Sequence, residues 1–150
     1  MRRLIVLLIC LLAISLSWGN IALAQTEAAI AQGQEKAAAG DIKGALEVYL
    51  EMTRSHPDSY EAHALLGGMQ LLDQHYSDAV KSFQRAISLG DAGARSFVGM
   101  GMAYLHMGQY GPARAAFVEA KSRGVSADSD VDQIIAWIDK RDSGGTEFQH

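Results

Sequence analysis

An internal repeat with a constant period of 34 residues (79 − 45 and 113 − 79) is the feature that most constrains this sequence. A glycine in one helix and an alanine in the next allow two helices to approach closely, and an aromatic residue then fills the space between units. The period therefore predicts an array of helical hairpins. The residues in register are Gly33, Ala45 and Tyr49, then Gly67, Ala79 and Phe83, then Gly101, Ala113 and Phe117.

The repeated unit resembles the tetratricopeptide repeat, a helix-turn-helix motif. The third copy is nearest to that pattern, with Phe97 at the usual tryptophan position and Tyr104 one helical turn beyond the shared glycine. The second copy departs at His63 and Gln70, where large aromatic residues are usual, and the first copy departs most but keeps Pro57 at its end. The resemblance implies an all-α protein, an α-solenoid of three repeats at about 26–59, 60–93 and 94–127.

Turn residues divide each copy into two helices. Gly40-Asp41, Gln74-His75 and Gly108-Gln109 lie within the hairpins, and Gly90-Asp91 separates two of them. We expect helix pairs at about 26–39 with 42–55, 60–73 with 76–89, and 94–107 with 110–123. A further helix at 128–141 is expected to cap the array, since Val131, Ile134, Ile135 and Ile138 fall on one face. The domain is thus predicted at 25–141, with a flexible tail at 142–150.

The first 24 residues have the order of a secretory signal peptide. Arg2 and Arg3 precede the apolar run 4–14, and Ala22-Leu23-Ala24 has the pattern of a cleavage site. We expect cleavage after Ala24 and a periplasmic or secreted protein. The alternative is that the segment is retained as a membrane anchor, although the run is shorter than the roughly 20 apolar residues that a span requires.

Export would leave an acidic protein without thiols, because Cys10 is the only cysteine and lies in the leader. Without Arg2 and Arg3, 11 basic residues (13 − 2) remain against 17 acidic ones. An acidic surface repels phosphate backbones, so nucleic acid is not an expected partner. Stability must come from packing, since neither disulfides nor cysteine-based zinc sites are possible in the processed chain.

No catalytic constellation is visible in the sequence. The histidines lack the spacing of a helical zinc motif, and Gly99 and Gly101 follow no predicted strand that could begin a phosphate loop. Met102 and His106 lie one turn apart and could bind copper(I), but the few soft ligands make this a distant alternative. The sequence therefore predicts no enzyme, no cofactor and no metal site.

The resemblance implies a partner-binding groove along the first helix of each hairpin. Because the residues there are mostly apolar, we expect an adaptor that holds an apolar or amphipathic protein segment and supports assembly of an envelope or secreted complex. The alternative for some of these residues, above all Leu71 and Leu105, is that the protein's own helices cover them. A self-associating structural module is the alternative, and the partner's identity does not follow from the residues. The predicted groove residues are Ile30, Gln34, Ala64, Gly68, Leu71, Leu72, Val98, Met102, Leu105 and His106, with Ala37 beside them.

Overall fold

The computed structural model describes residues 24–124 and 130–144, the last three of these for the backbone alone. The described chain is entirely helical, apart from turns and short links. Helix α1 covers 24–38. The helices that follow it are α2 Ile42–Ser55, α3 Tyr60–Leu72, α4 Tyr76–Ser88, α5 Ala94–His106, α6 Tyr110–Ser122 and α7 Val131–Gly144.

The all-α solenoid predicted from the repeat is confirmed. Within the second and third hairpins α3 packs on α4 and α5 on α6, while α2 meets α3 and α4 meets α5 between hairpins. Helices α3 and α5 also contact each other directly. The predicted bounds of the first six helices agree with the observed ones to within two residues, because capping and turn residues mark them clearly.

The turns within the hairpins use a left-handed backbone at one fixed position of the repeat. Gly40 has φ of 81° and Gly108 has φ of 71°, and Gln74, at the equivalent position, has φ of 64°. A helix that ends in this conformation satisfies its last carbonyl groups through the following N–H groups. The next helix then begins at once, as at Asp41, whose carboxylate accepts a hydrogen bond from the Gly44 N–H at 2.9 Å.

The repeated glycines are packing glycines, as the sequence predicts. A Cβ atom added at Gly33 would lie 2.4 Å from the Tyr49 ring, and one at Gly101 would lie 2.9 Å from the Phe117 ring. The Phe83 ring packs against two glycines. A Cβ atom added at Gly67 would lie 3.0 Å from this ring, and one added at Gly99 would lie 2.3 Å from it. Gly67 belongs to α3 and Gly99 to α5, so this ring joins two successive repeats.

Helix α7 covers the end of the array. Val131 and Ile138 are buried in one cluster with Ala113 and Phe117 of α6. The helix begins at Val131 and ends at Gly144, three residues later at each end than the predicted capping helix, and residues 142–144 of the predicted tail are helical. The rest of that tail lies outside the described residues.

The predicted signal peptide also lies outside the described residues, except for Ala24 at the start of α1. Among the helices that the structure describes, none combines the length and the apolar character needed to cross a bilayer.

Candidate binding groove

An apolar depression of about 540 Å³ lies between α3 and α5, the first helices of the second and third hairpins. We call this depression the groove. Eleven residues line it, and Arg95 is the only charged one. The groove therefore offers contact surface for aliphatic or aromatic groups. Its lining consists of Ala64, Leu65, Gly68, Met69, Leu71, Phe83, Ala94, Arg95, Val98, Gly99 and Met102.

The floor of the groove depends on glycines. The Phe83 ring comes from α4 and reaches the groove because Gly99 leaves space above it. Gly68 differs from the packing glycines, because a Cβ atom added there would meet no atom within 4 Å. The groove is thus open at the middle of α3, with Met69 and Met102 among the residues of its walls.

One end of the groove has a polar rim. A second depression of about 360 Å³ shares Ala64, Leu65, Ala94 and Arg95 with the groove. It adds polar residues that include Gln34, Glu61 and Asp91. The groove thus continues into a surface where main-chain or charged groups of a bound segment could remain hydrated.

The charged side chains of this rim differ in whether groups of the protein itself bind them. The Asp91 carboxylate accepts hydrogen bonds from the Gly93 N–H, at 2.9 Å, and from the Ser96 hydroxyl, so it is committed to the start of α5. Within the described part of the chain, neither Glu61 nor Arg95 takes part in an ion pair. These two side chains remain accessible to a partner.

The shifted pKa values in the described residues have structural causes. Burial raises the pKa of Tyr49. The Gly44 N–H, with Lys36, lowers the pKa of Asp41, and Arg114 lowers the pKa of Asp139. Lys81 lowers the pKa of Asp78. These groups serve caps, ion pairs and the core, and none of them lines the groove.

Half of the ten predicted groove residues line the groove itself. Gln34 lies on the polar rim, and the remaining four lie elsewhere. That the predicted set contacts a partner stays a prediction. The five residues in the groove are Ala64, Gly68, Leu71, Val98 and Met102.

The four other residues lie outside the groove, and three of them pack on other parts of the protein. Ile30 packs on the core of the first hairpin, as does its neighbour Ala37, and Leu105 packs on the cluster that joins α6 and α7. Leu72 is 59% exposed and does not line the groove. The His106 ring stacks on Tyr76 with a centroid distance of 4.8 Å. Leu71 also packs on the second core cluster. The protein's own helices therefore partly cover both Leu71 and Leu105, the two leucines that the sequence analysis named as candidates for such covering.

Sequence reasoning missed several residues of the lining. Leu65 and Gly99 occupy equivalent positions of their repeats, each directly after a predicted residue, so the repeat register could have identified them. Phe83 belongs to the second helix of its hairpin, and its access to the groove through Gly99 depends on the three-dimensional packing.

The methionines near His106 do not converge on one site. Met100 and Met107 pack on the cluster that contains Phe83 and Ala103, whereas Met102 packs on the cluster that contains Phe117. Across the described residues, no group of three or more His, Cys, Asp or Glu side chains is placed to hold a metal ion. The division of the soft ligands between two cores disfavours the copper alternative.

Stacked helical hairpins with an open groove along their first helices define a helical-repeat solenoid. Residues 30–96 match the model of the tetratricopeptide repeat family, and the described helices share the fold of solved tetratricopeptide-repeat domains. No curated protein matches the sequence.

Solved structures share this fold at low sequence identity. The TPR2B domain of yeast Sti1, solved as a complex with pHsp70, is 17% identical over 77% of this chain and 96% of its own, with a TM-score of 0.69. The Yersinia enterocolitica type III secretion chaperone SycD, solved with a peptide of the translocator YopD, is 13% identical over 79% and 95%, with a TM-score of 0.72. The Arabidopsis OM64 TPR domain is 14% identical over 76% and 93%, with a TM-score of 0.71.

Proposed function

We propose that this protein is an adaptor that binds a segment of another protein in the groove between α3 and α5. The observation that carries the proposal is the open apolar lining around Gly68, where nothing lies within 4 Å of an added Cβ. Apolar surface left accessible in a groove usually marks a place of interaction. A binding role, and not a catalytic one, fits a site without paired acid and base groups.

Similar folds were solved with pHsp70 in the case of Sti1 and with a YopD peptide in the case of SycD, which supports a protein segment as the class of ligand. The lining suggests which peptides fit this chain. With Arg95 as its only basic residue, the groove favours apolar side chains over a run of carboxylates. Burying one large apolar side chain contributes about 1.5–3 kcal/mol, so each such contact strengthens binding by about tenfold or more.

We also propose that the protein acts outside the cytoplasm, in the periplasm or as a secreted protein, where it supports assembly of an envelope or secreted complex. The support is the basic start, the apolar run and the Ala22-Leu23-Ala24 pattern of the sequence. Intact-mass measurement on protein recovered from the periplasm tests this proposal. The expected mass is that of a chain that begins at Gln25, and the mass of a chain that still includes Met1 would contradict cleavage.

A second candidate function is self-association, which the exposed apolar side chains favour. Leu72, Val118 and Trp137 are each more than 40% exposed. The groove or these side chains could then contact another copy of the chain. Light scattering over a range of concentrations separates the two functions, since a constant monomer mass supports the adaptor and a rising mass supports self-association.

Selection from a random peptide display library tests the groove even though the natural partner is unidentified. Enriched peptides should bind the wild-type protein and lose affinity for the variants Ala64→Glu and Met102→Glu, which place a charge in the groove. Ala115→Glu is the matched control, because Ala115 is exposed on α6 and does not line the groove. Equal binding by all three variants, with circular dichroism unchanged, would show that the groove is not the site.

A further inference from the structure

We infer that the groove selects a segment with an aromatic anchor residue, and that Gly68 sets the space available for that anchor. The inference rests on the proposed function and names the chemistry of the bound segment. It follows from the contrast between the glycines at the groove and from the side chains that surround the open space.

Packing accounts for Gly67 and Gly99 but not for Gly68. Added Cβ atoms at Gly67 and Gly99 would press on the Phe83 ring at 3.0 and 2.3 Å, whereas one at Gly68 would meet nothing within 4 Å. Gly68 lies inside α3, where glycine is less favourable than alanine for the helix. The fold would therefore accept a larger residue at this position, and what the glycine provides is open volume in the groove.

The groove walls favour an aromatic side chain in that volume. Met69 and Met102 line this volume, and methionine side chains make favourable contacts with aromatic rings, while the largely buried Phe83 ring forms part of its floor. A volume of 540 Å³ falls within the range of about 300–1,000 Å³ typical of small-molecule sites, so one aromatic side chain fits. Arg95 is the only charged residue of the lining, and it also lines the rim, so the anchor itself is uncharged.

A second copy of this chain is a less suitable source of the anchor. Among the described residues, Tyr60 is as exposed as Trp137 but lines the rim of the groove itself. Trp137, the tryptophan in the described part of the chain, already packs edge-on against Tyr110 at 5.7 Å between ring centroids. The Arg141 guanidinium lies over both rings, at 4.8 Å from Tyr110 and 5.5 Å from Trp137. Inserting Trp137 into a neighbour's groove would break this cluster, so a different protein is the better source.

Capped single amino acids test the inference by NMR on the full chain as purified from the expressing cell. The probes are N-acetyl-phenylalanine amide, N-acetyl-leucine amide and N-acetyl-alanine amide, each titrated into ¹⁵N-labelled protein. We expect the phenylalanine probe to bind most tightly and to shift the amide signals of Gly68 and Gly99. Equal or tighter binding of the alanine or leucine probe would overturn the aromatic preference.

The variant Gly68→Met tests the role of the glycine, with Gly111→Met as the matched control. Gly111 is exposed on α6 and an added Cβ there also meets nothing within 4 Å. Gly68→Met should bind the phenylalanine probe at least about tenfold more weakly, a loss well above measurement error. Its melting temperature should equal or exceed that of the wild type, whereas Gly111→Met should bind like the wild type.

The outcomes separate this inference from the proposed function. If display-selected peptides bind Gly68→Met as well as wild type while Met102→Glu abolishes their binding, the groove is the site but Gly68 does not set the anchor size. If the wild type is a dimer by light scattering and Gly68→Met is a monomer, the anchor comes from a second copy and the inference is wrong. A loss of helicity in Gly68→Met would also overturn it, since the inference requires that the fold tolerate methionine at this position.

Discussion

Replacing Gly99 with alanine is expected to destabilise the protein, although alanine is the better helix former. In the interior of a helix the exchange of glycine for alanine is worth about 1 kcal/mol in favour of alanine. In this structure the new methyl carbon would lie 2.3 Å from Cζ of Phe83 and 2.7 Å from its Cε2. Ordinary contact begins near 3.4 Å, so the ring or the helices must move by about 1 Å.

The size of the expected loss of stability follows from a comparison of Gly99 with Gly68, which also lies inside a helix. Overpacking a close-packed core costs about 1–3 kcal/mol. Gly68→Ala has the same gain in helix propensity and meets nothing within 4 Å, so the propensity terms cancel in the difference between the two variants. The free energy of unfolding of Gly99→Ala should therefore lie about 1–3 kcal/mol below that of Gly68→Ala.

Urea denaturation followed by circular dichroism at 222 nm measures this difference. In thermal melts it corresponds to at least about 2 °C, since 1 kcal/mol shifts the melting temperature by roughly 4–8 °C for domains of about 60–100 residues and by roughly 2–4 °C for larger ones. A Phe83→Leu background should reduce the difference, because leucine has no Cζ atom. If Gly99→Ala were as stable as Gly68→Ala, the account of Phe83 as a ring wedged between α3 and α5 would be refuted.

Three further predictions concern a cap, the end of the array and an ion pair. Ser59→Ala should reduce the free energy of unfolding by about 1 kcal/mol, because the Ser59 hydroxyl accepts a hydrogen bond from the Ala62 N–H at the start of α3; urea titration measures this, and an unchanged midpoint would contradict it. Ile138→Ala should reduce the free energy of unfolding by about 2–5 kcal/mol in the same assay, since Ile138 is fully buried between α7 and α6. A reduction well under 1 kcal/mol would mean that α7 is not a structural cap. Arg114 lowers the pKa of Asp139 below its usual 3.8, so the ion pair stabilises the fold above that pH and its contribution is lost as the pH falls through the lowered pKa. Melting temperatures of wild type and Asp139→Asn should accordingly differ at pH 7 and approach each other as the pH falls below 3.8, and a gap that widened in acid would refute the assignment.

The fold was predictable from the sequence because local signals and the repeat register agree. Gly40 and Gly108 mark turns, and Gly33 and Gly101 mark helix crossings, each at a spacing that repeats without gaps. The bounds of α7 were less predictable. Its apolar face identified the helix, but the chain around its start has no glycine or proline to fix the first residue, and its last turn runs through Ser143 and Gly144, which are weak helix formers.

The groove was predictable only in part. The sequence placed Ala64, Val98 and Met102 on the inner face of the first helices, and these residues line the groove in the structure, while their contact with a partner stays a prediction. The sequence could not show that His106 would stack on Tyr76, or that Leu105 would pack with the cluster under α7, because both depend on contacts between distant segments. The side-chain pattern of one helix specifies a face, and the neighbouring helices decide how much of that face remains open.

The most direct test of the central claim is a map of amide shifts in the complex with the tightest peptide from the display selection. A ¹⁵N–¹H spectrum of the wild-type protein should change at residues of the groove, most strongly at Gly68, Gly99 and Met102, with little change on the outer side of α6 around Ala115. Changes confined to the surface around Ala115, with the groove signals unmoved, would contradict the claim that this protein holds its partner between α3 and α5.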